Sequence, residues 1–68
     1  MPELTLNGER RQFPESCADL AALVECLGYA GKRIAIEKNG EIVPRGQYAA
    51  TPLTAGDTLE IVVAVGGG

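Results

Sequence analysis

The strongest pattern in the chain is Thr58-Leu59-Glu60-Ile61-Val62-Val63-Ala64-Val65. Large aliphatic side chains recur at every second position, which places them on one face of an extended segment. This period of two predicts a β-strand that packs one face into a core and leaves the other face to solvent. The turn-forming residues 54–57 (Thr-Ala-Gly-Asp) come directly before it. The segment therefore needs neighbouring strands to pair with and another element to cover its apolar face.

Two Asn-Gly pairs, Asn7-Gly8 and Asn39-Gly40, predict two hairpins that add further strands to that sheet. Both residue types tolerate positive φ, which a two-residue hairpin turn requires. Each pair lies between two short segments of strand-like composition, and Pro14 and Pro44 end the second strand of each hairpin. The four strands predicted in this way are residues 3–6, 9–13, 33–37 and 41–43.

One helix is predicted between the two hairpins, over residues 17–27. Ser16 followed by Asp19 resembles a capping box with Asp in place of Glu, and Gly28 supplies a left-handed stop. The apolar side chains of this stretch gather on one helical face: Cys17, Leu20, Leu23, Val24 and Leu27. That face must pack against something apolar.

The order β-β-α-β-β-β predicts an α+β, β-grasp (ubiquitin-like) fold, in which one helix crosses a mixed sheet of four to five strands. Residues 1–65 form the domain and residues 66–68 a flexible glycine tail. Residues 47–52 are expected to form a 3₁₀ turn or an irregular crossover, with Leu53 filling the core. On the uncovered face, Val62 and Ala64 form a small apolar patch, a possible partner surface.

Composition excludes several functional classes. The 68 residues fit one domain, carry a net charge of −3, and include six dispersed basic residues, so no basic stripe exists to follow nucleic acid. No apolar run is long enough to cross a membrane and no leader is recognised, which predicts a cytoplasmic protein. The sequence contains no His and no cluster of metal-ligand residues, and we expect no bound cofactor and no catalysis by the chain itself.

The two cysteines, Cys17 and Cys26, both fall within the predicted helix. Nine residues apart, they would lie roughly 13 Å apart along the axis and on different sides. A disulfide needs Cα atoms within roughly 7 Å, so we expect two free thiols, as in a reducing compartment.

The candidate functional segment of the chain is the terminal run Gly66-Gly67-Gly68. Residues without Cβ cannot hold one conformation or pack against the core. They would present a free carboxylate on a thin arm that enters places from which side chains are excluded. This arrangement suits insertion into the active site of another enzyme.

The whole chain resembles the ThiS family of sulfur carriers for thiazole formation in thiamin biosynthesis. The resemblance is carried by residues 4–8 (LTLNG), 38–45 (KNGEIVPR), 53–61 (LTAGDTLEI) and 65–68 (VGGG). The Ile-Val-Pro-Arg segment and the terminal glycines are its most specific parts.

The resemblance implies that Gly68 bears the sulfur and that Gly67 gives access to it, with Gly66 as an additional glycine. A ThiF-type adenylating enzyme would use ATP to activate the Gly68 carboxylate. A cysteine desulfurase or other persulfide donor would supply the sulfur, and thiazole synthase would receive it from the resulting thiocarboxylate. Arg45 would support the structure, by pairing with a nearby carboxylate, or meet an acidic surface of a partner.

Two alternatives stay open at the level of sequence. A MoaD-like small subunit of molybdopterin synthase, or the sulfur carrier of another pathway, would share the fold and the tail. A β-grasp regulatory or RNA-binding module would share the fold, and its tail would be irrelevant.

Overall fold

The structure, a computed structural model, describes residues 3–64. Val65 and the predicted tail, residues 66–68, lie outside the described residues. The elements in chain order are β1 (Glu3–Leu6), β2 (Glu9–Gln12), α1 (Leu20–Cys26), β3 (Ile34–Lys38), β4 (Glu41–Val43), a 3₁₀ helix (Arg45–Ala50) and β5 (Thr58–Val63).

The five strands form one mixed sheet in the order β2-β1-β5-β3-β4. β5 lies at its centre, parallel to β1 and antiparallel to β3, while each hairpin forms one antiparallel edge pair. The predicted β-grasp architecture is confirmed, and the stretch with the strongest alternation is the central strand.

The core lies between the sheet and α1, and the predicted period of two is visible in it. Leu59 and Ile61 of β5 are buried, whereas Thr58, Glu60 and Val62 are exposed. The buried apolar side chains are Leu4, Leu6, Phe13, Cys17, Leu20, Leu23, Val24, Ile36, Tyr48, Leu59 and Ile61.

Both Asn-Gly turns adopt the predicted left-handed backbone, with φ of 49° at Asn7 and 52° at Asn39. Their side chains also bind β5. Asn7 Nδ2 donates to the carbonyl of Ile61 at 3.2 Å, and the Ile61 amide donates to Asn7 Oδ1 at 2.7 Å. Asn39 Oδ1 accepts from the Thr58 amide at 2.9 Å. Each asparagine thus closes its own turn and fastens it to the central strand.

The helix is shorter than predicted, since it begins at Leu20 and not at residue 17. Asp19 is the N-cap, and its carboxylate accepts from the Ala22 amide at 2.8 Å. The predicted capping by Ser16 is therefore wrong. The Leu20 amide donates to the carbonyl of Thr51 at 3.1 Å, which holds the entry to the helix against the segment before β5.

The predicted end of the helix is confirmed. Gly28 has a φ of 78°. The amides of Gly28 and Tyr29 donate to the carbonyls of Glu25 and Val24 at 3.1 and 2.9 Å, which is the Schellman arrangement.

The connection between β4 and β5 is a 3₁₀ helix, as predicted, but it begins at Arg45 directly after Pro44. It buries Tyr48, whose role the sequence did not indicate. Leu53, the expected core residue of this connection, is partly buried and packs against the same cluster.

The expectation of two free thiols is wrong, because Cys17 and Cys26 form a disulfide. Cys17 lies before the helix, in a turn in which its amide donates to the Pro14 carbonyl at 2.9 Å. The helical spacing assumed for the pair therefore does not apply, and their Cα atoms lie 7.0 Å apart. Free thiols therefore no longer support a reducing compartment, and the cytoplasmic location stays a prediction.

Candidate functional site

The sheet face opposite α1 carries an exposed apolar surface. Val62 of β5 is 65% exposed and lies opposite Ala35 of β3, and Ile42 of β4 is 76% exposed. Exposed apolar side chains indicate a binding surface when they form a continuous patch, and single ones are common on protein surfaces. Val62 and Ile42 lie on the same face at different positions, which allows them to be tested separately.

A shallow groove of about 320 Å³ lies where β5 leaves the sheet. Its lining is mainly apolar and includes two arginines; the lining residues are Arg33, Ile34, Ala35, Arg45, Val62 and Ala64. The Ala64 amide donates to the Arg33 carbonyl at 2.9 Å, so the chain is held to β3 up to its last described residue.

The structure brings together three residues that the sequence analysis singled out, namely Arg45, Val62 and Ala64. Arg45 Nη2 donates to the backbone carbonyl of Lys32 at 2.9 Å. This contact fastens the start of the 3₁₀ helix to the loop before β3. It is a bond to a carbonyl, where the sequence analysis expected a carboxylate. Gly66, Gly67 and Gly68, the predicted sulfur-carrying segment, lie outside the described residues.

Two acidic residues lie beyond the apolar groove on the same sheet face. Glu60 of β5 pairs in register with Glu37 of β3, and both side chains are exposed. Like charges directly opposite each other on neighbouring strands destabilise a sheet. The open face therefore has arginines at the end where β5 leaves the sheet and carboxylates further back, with the apolar groove between them. This arrangement of charges depends on the register of β3 against β5, which the sequence does not indicate.

A buried carboxylate, Asp57, lies at the other end of β5. Its Oδ2 accepts from the Thr54 amide at 2.8 Å, its Oδ1 accepts from Asn39 Nδ2 at 3.0 Å, and Lys38 Nζ lies 3.6 Å from Oδ2. Burial alone would raise the pKa of Asp57, but the hydrogen bonds from Thr54 and Asn39 and the charge of Lys38 outweigh it and lower the pKa.

Asp57 is thus held ionised by groups of this chain, as a structural carboxylate that joins the β3–β4 hairpin to the start of β5. Sequence reasoning placed it only in a turn. Two of its three partners, Lys38 and Asn39, come from a hairpin that is distant in sequence, so no local pattern indicated its burial.

Within residues 3–64 no group of His, Cys, Asp and Glu side chains is arranged to hold a metal ion. No helix in the same range is long and apolar enough to cross a membrane. The groove at the end of β5 is the candidate functional site, because it is a mainly apolar surface that contains Val62, Ala64 and Arg45.

The comparisons agree with this architecture. A crystal structure of the thiamine biosynthesis protein ThiS from Geobacter metallireducens superposes with a TM-score of 0.80 at 29% identity, covering 97% of this chain and 99% of that one. Two relatives named thiazole synthase, from Paramagnetospirillum magneticum and Magnetococcus marinus, are 46% and 38% identical over 66 residues, or 97% of this chain. The chain spans 20% of the length of each of these two relatives.

Fold and groove together define a small β-grasp protein of the ubiquitin-like class. The ThiS family model matches residues 4–68, from β1 to the terminal glycines. The chain belongs to the ThiS family.

Proposed function

We propose that this chain is a sulfur carrier whose Gly68 carboxylate is converted to a thiocarboxylate that donates sulfur for thiazole formation in thiamin biosynthesis. The observation that carries the proposal is the family match, which extends through Gly66, Gly67 and Gly68. The similarity to relatives named thiazole synthase supports the same pathway. No such observation favours the molybdopterin alternative or an RNA-binding module.

The chemistry requires an activating partner, because a carboxylate is a poor electrophile. A ThiF-type adenylating enzyme joins the Gly68 carboxylate to the α-phosphate of ATP, and pyrophosphate leaves. The terminal sulfur of a persulfide, supplied through a cysteine desulfurase or another donor, then attacks the carbonyl carbon and displaces AMP. A thiol cleaves the resulting acyl disulfide and leaves the thiocarboxylate on Gly68.

The groove at the end of β5 is proposed as the surface on which these partners dock. Val62 and Ala64 offer apolar contact directly before the glycine segment, and Arg33 and Arg45 border that contact with positive charge. A partner bound here would receive the chain as it leaves the sheet. Arg45 also holds the loop before β3 through Lys32, so we assign it a supporting role in this surface.

The chain acts in this scheme as a protein substrate of its partners. Asp57, the buried carboxylate that the structure describes, is fully occupied by Thr54, Asn39 and Lys38 and lies at the opposite end of β5 from the groove. ATP binds the adenylating enzyme, and the chain needs no cofactor of its own.

The test is incubation of the purified protein with ATP, a ThiF-type adenylating enzyme and a persulfide source, followed by intact mass spectrometry. We expect one oxygen of the terminal carboxylate to be replaced by sulfur. Deletion of Gly67 and Gly68 must abolish the change and leave the circular dichroism spectrum as it was. Residues beyond Gly68 in the protein isolated from its own cells, or an unchanged mass under all conditions, would contradict the proposal.

The pathway is tested by growth. A strain that lacks the gene should require thiamin or its thiazole precursor. Recovery with molybdenum cofactor alone would favour the MoaD-like alternative.

A further inference from the structure

The disulfide between Cys17 and Cys26 joins two environments of different accessibility. Cys17 is completely buried in the core, whereas Cys26 is the last residue of α1 and is exposed. The bond closes a loop that contains the whole of α1. The bond therefore joins an exposed residue to a residue that is enclosed by the core.

This asymmetry determines how thiols can react with the bond. In thiol–disulfide exchange a thiolate attacks one sulfur and the other sulfur leaves. The Cys26 sulfur belongs to an exposed residue, while that of Cys17 belongs to a residue without solvent contact. This difference in exposure favours attack at Cys26, with Cys17 as the leaving group.

The stretch between Cys17 and α1 is also held by contacts other than the disulfide. Ala18 and Leu20, on either side of the cap residue, are hydrogen-bonded to the segment before β5: the Leu53 amide donates to the Ala18 carbonyl at 2.9 Å, and the Leu20 amide donates to the Thr51 carbonyl at 3.1 Å. Asp19 forms an isolated β-bridge with Pro52 and caps the helix. A reduced Cys17 is a small apolar side chain that suits the same core position.

We propose that Cys17 and Cys26 form a reversible dithiol–disulfide site that exchanges with small dithiols through Cys26. The thiolate of the dithiol attacks the Cys26 sulfur, the protein disulfide breaks, and Cys17 leaves and takes up a proton. The second thiol of the reagent attacks the mixed disulfide, which frees Cys26 and leaves the reagent oxidised. The oxidised reagent drives the same steps in reverse.

The site is separate from the chemistry proposed for Gly68, because it needs neither ATP nor the glycine segment. Its behaviour is measured on the full chain without any partner enzyme. Failure of the sulfur-carrier proposal would therefore leave this inference intact, and the reverse also holds.

The first experiment equilibrates the full chain in mixtures of reduced and oxidised dithiothreitol, quenches with acid, alkylates free thiols and counts them by intact mass. We expect no alkylated cysteine in excess oxidised reagent, two in excess reduced reagent, and full return on reoxidation, with the folded circular dichroism spectrum at both ends. Two free thiols in every mixture, a bond that resists excess reduced reagent, or loss of the folded spectrum on reduction would each overturn the proposal.

The second experiment tests the entry point with Cys17→Ala, which leaves Cys26 alone, and Cys26→Ser, which leaves Cys17 alone. We expect Cys26 to form a mixed disulfide with oxidised glutathione at least about tenfold faster than Cys17, which reacts only when the core opens. Equal rates, or a faster Cys17, would overturn the assignment. Limited alkylation of the reduced wild-type chain with peptide mapping gives the same comparison if either variant does not fold, and Cys26 must be labelled first.

Discussion

At the scale of single residues, side chains that bind central strand β5 stabilise this small domain. Asn7 and Asn39 turn the chain and also hydrogen-bond to β5. Asp57, the residue directly before β5, accepts from Asn39 of the second hairpin. The contacts of Asn7 with Ile61 and of Asn39 with Asp57 are partly buried, so their loss leaves polar groups without partners in a region with little water. The bond from the Thr58 amide to Asn39 is exposed, and its loss costs less. Their contribution should therefore be measurable one residue at a time.

The lowered pKa of Asp57 predicts acid sensitivity. A carboxyl group whose pKa is lower in the folded than in the unfolded state stabilises the fold above its unfolded pKa, and this contribution is lost as the pH falls through the folded pKa. We expect Asp57→Asn to lower the free energy of unfolding by about 1–2 kcal/mol near pH 7. Urea unfolding should show the difference between variant and wild type shrinking below about pH 4. A difference that is the same at all pH values would contradict the assignment.

Backbone conformation at Gly40 gives a second residue-scale prediction. Gly40 has a φ of 87°, and a Cβ there would meet no atom within 4 Å, so the cost of Gly40→Ala is conformational and not steric. We expect a loss of about 1 kcal/mol in thermal or urea unfolding. Gly46→Ala is the matched control, because that position is equally open without a positive φ, and its effect should be close to zero. Equal losses in the two variants would refute this explanation.

At the scale of elements, α1 is short and depends on its two ends. Its seven residues contribute three buried side chains, Leu20, Leu23 and Val24, to the core. Helices of this length are not stable alone in water. The cap at Asp19, the Schellman end at Gly28 and the packing against the sheet therefore maintain it together.

The cap is tested by comparing Asp19→Ala with Ser16→Ala. Asp19 accepts from the Ala22 amide, whereas Ser16 lies outside the helix in a turn. We expect Asp19→Ala to lower the free energy of unfolding by about 1 kcal/mol. Ser16→Ala should leave it unchanged within error in the same urea titration. The reverse order would mean that the helix begins earlier than the structure shows.

At the scale of the whole molecule, the β-grasp arrangement places the core and the candidate functional site on opposite faces of the sheet. One sheet face packs against α1 and contains the core, while the other face carries Val62 and its groove beside the exit of β5. The structural carboxylate Asp57 lies at the opposite end of that strand. Changes on the open face should therefore affect partners and not folding.

Val62→Asp tests this separation within the proposed function. We expect the concentration of carrier that gives half-maximal thiocarboxylate formation with the adenylating enzyme to rise about tenfold or more, with the unfolding midpoint little changed. Ile42→Asp is the matched control, since Ile42 lies on the same face, is somewhat more exposed than Val62 and is outside the groove. If Ile42→Asp impairs the reaction as much as Val62→Asp, the docking surface is not confined to the groove.

Much of the architecture was predictable because it depends on local patterns. The alternation in residues 58–63 predicts a strand with Leu59 inside and Val62 outside, and positive φ at Asn7 and Asn39 follows from the turn preference of Asn-Gly. The helix start was not predictable. Ser16 and Asp19 are both good caps, and the bond from the Leu20 amide to Thr51, distant in sequence, favours the later one.

The residues alone carry three features: the order of the elements, the inward and outward faces of β5, and the resemblance that extends to the terminal glycines. Tertiary structure alone decided the pairing of Cys17 with Cys26, the burial of Asp57 and Tyr48, and the groove that unites Arg45, Val62 and Ala64. The difference comes from how far apart in sequence the interacting residues are. Periodicity and turn preference act between neighbours along the chain, whereas these contacts join residues that only strand register and helix packing bring together.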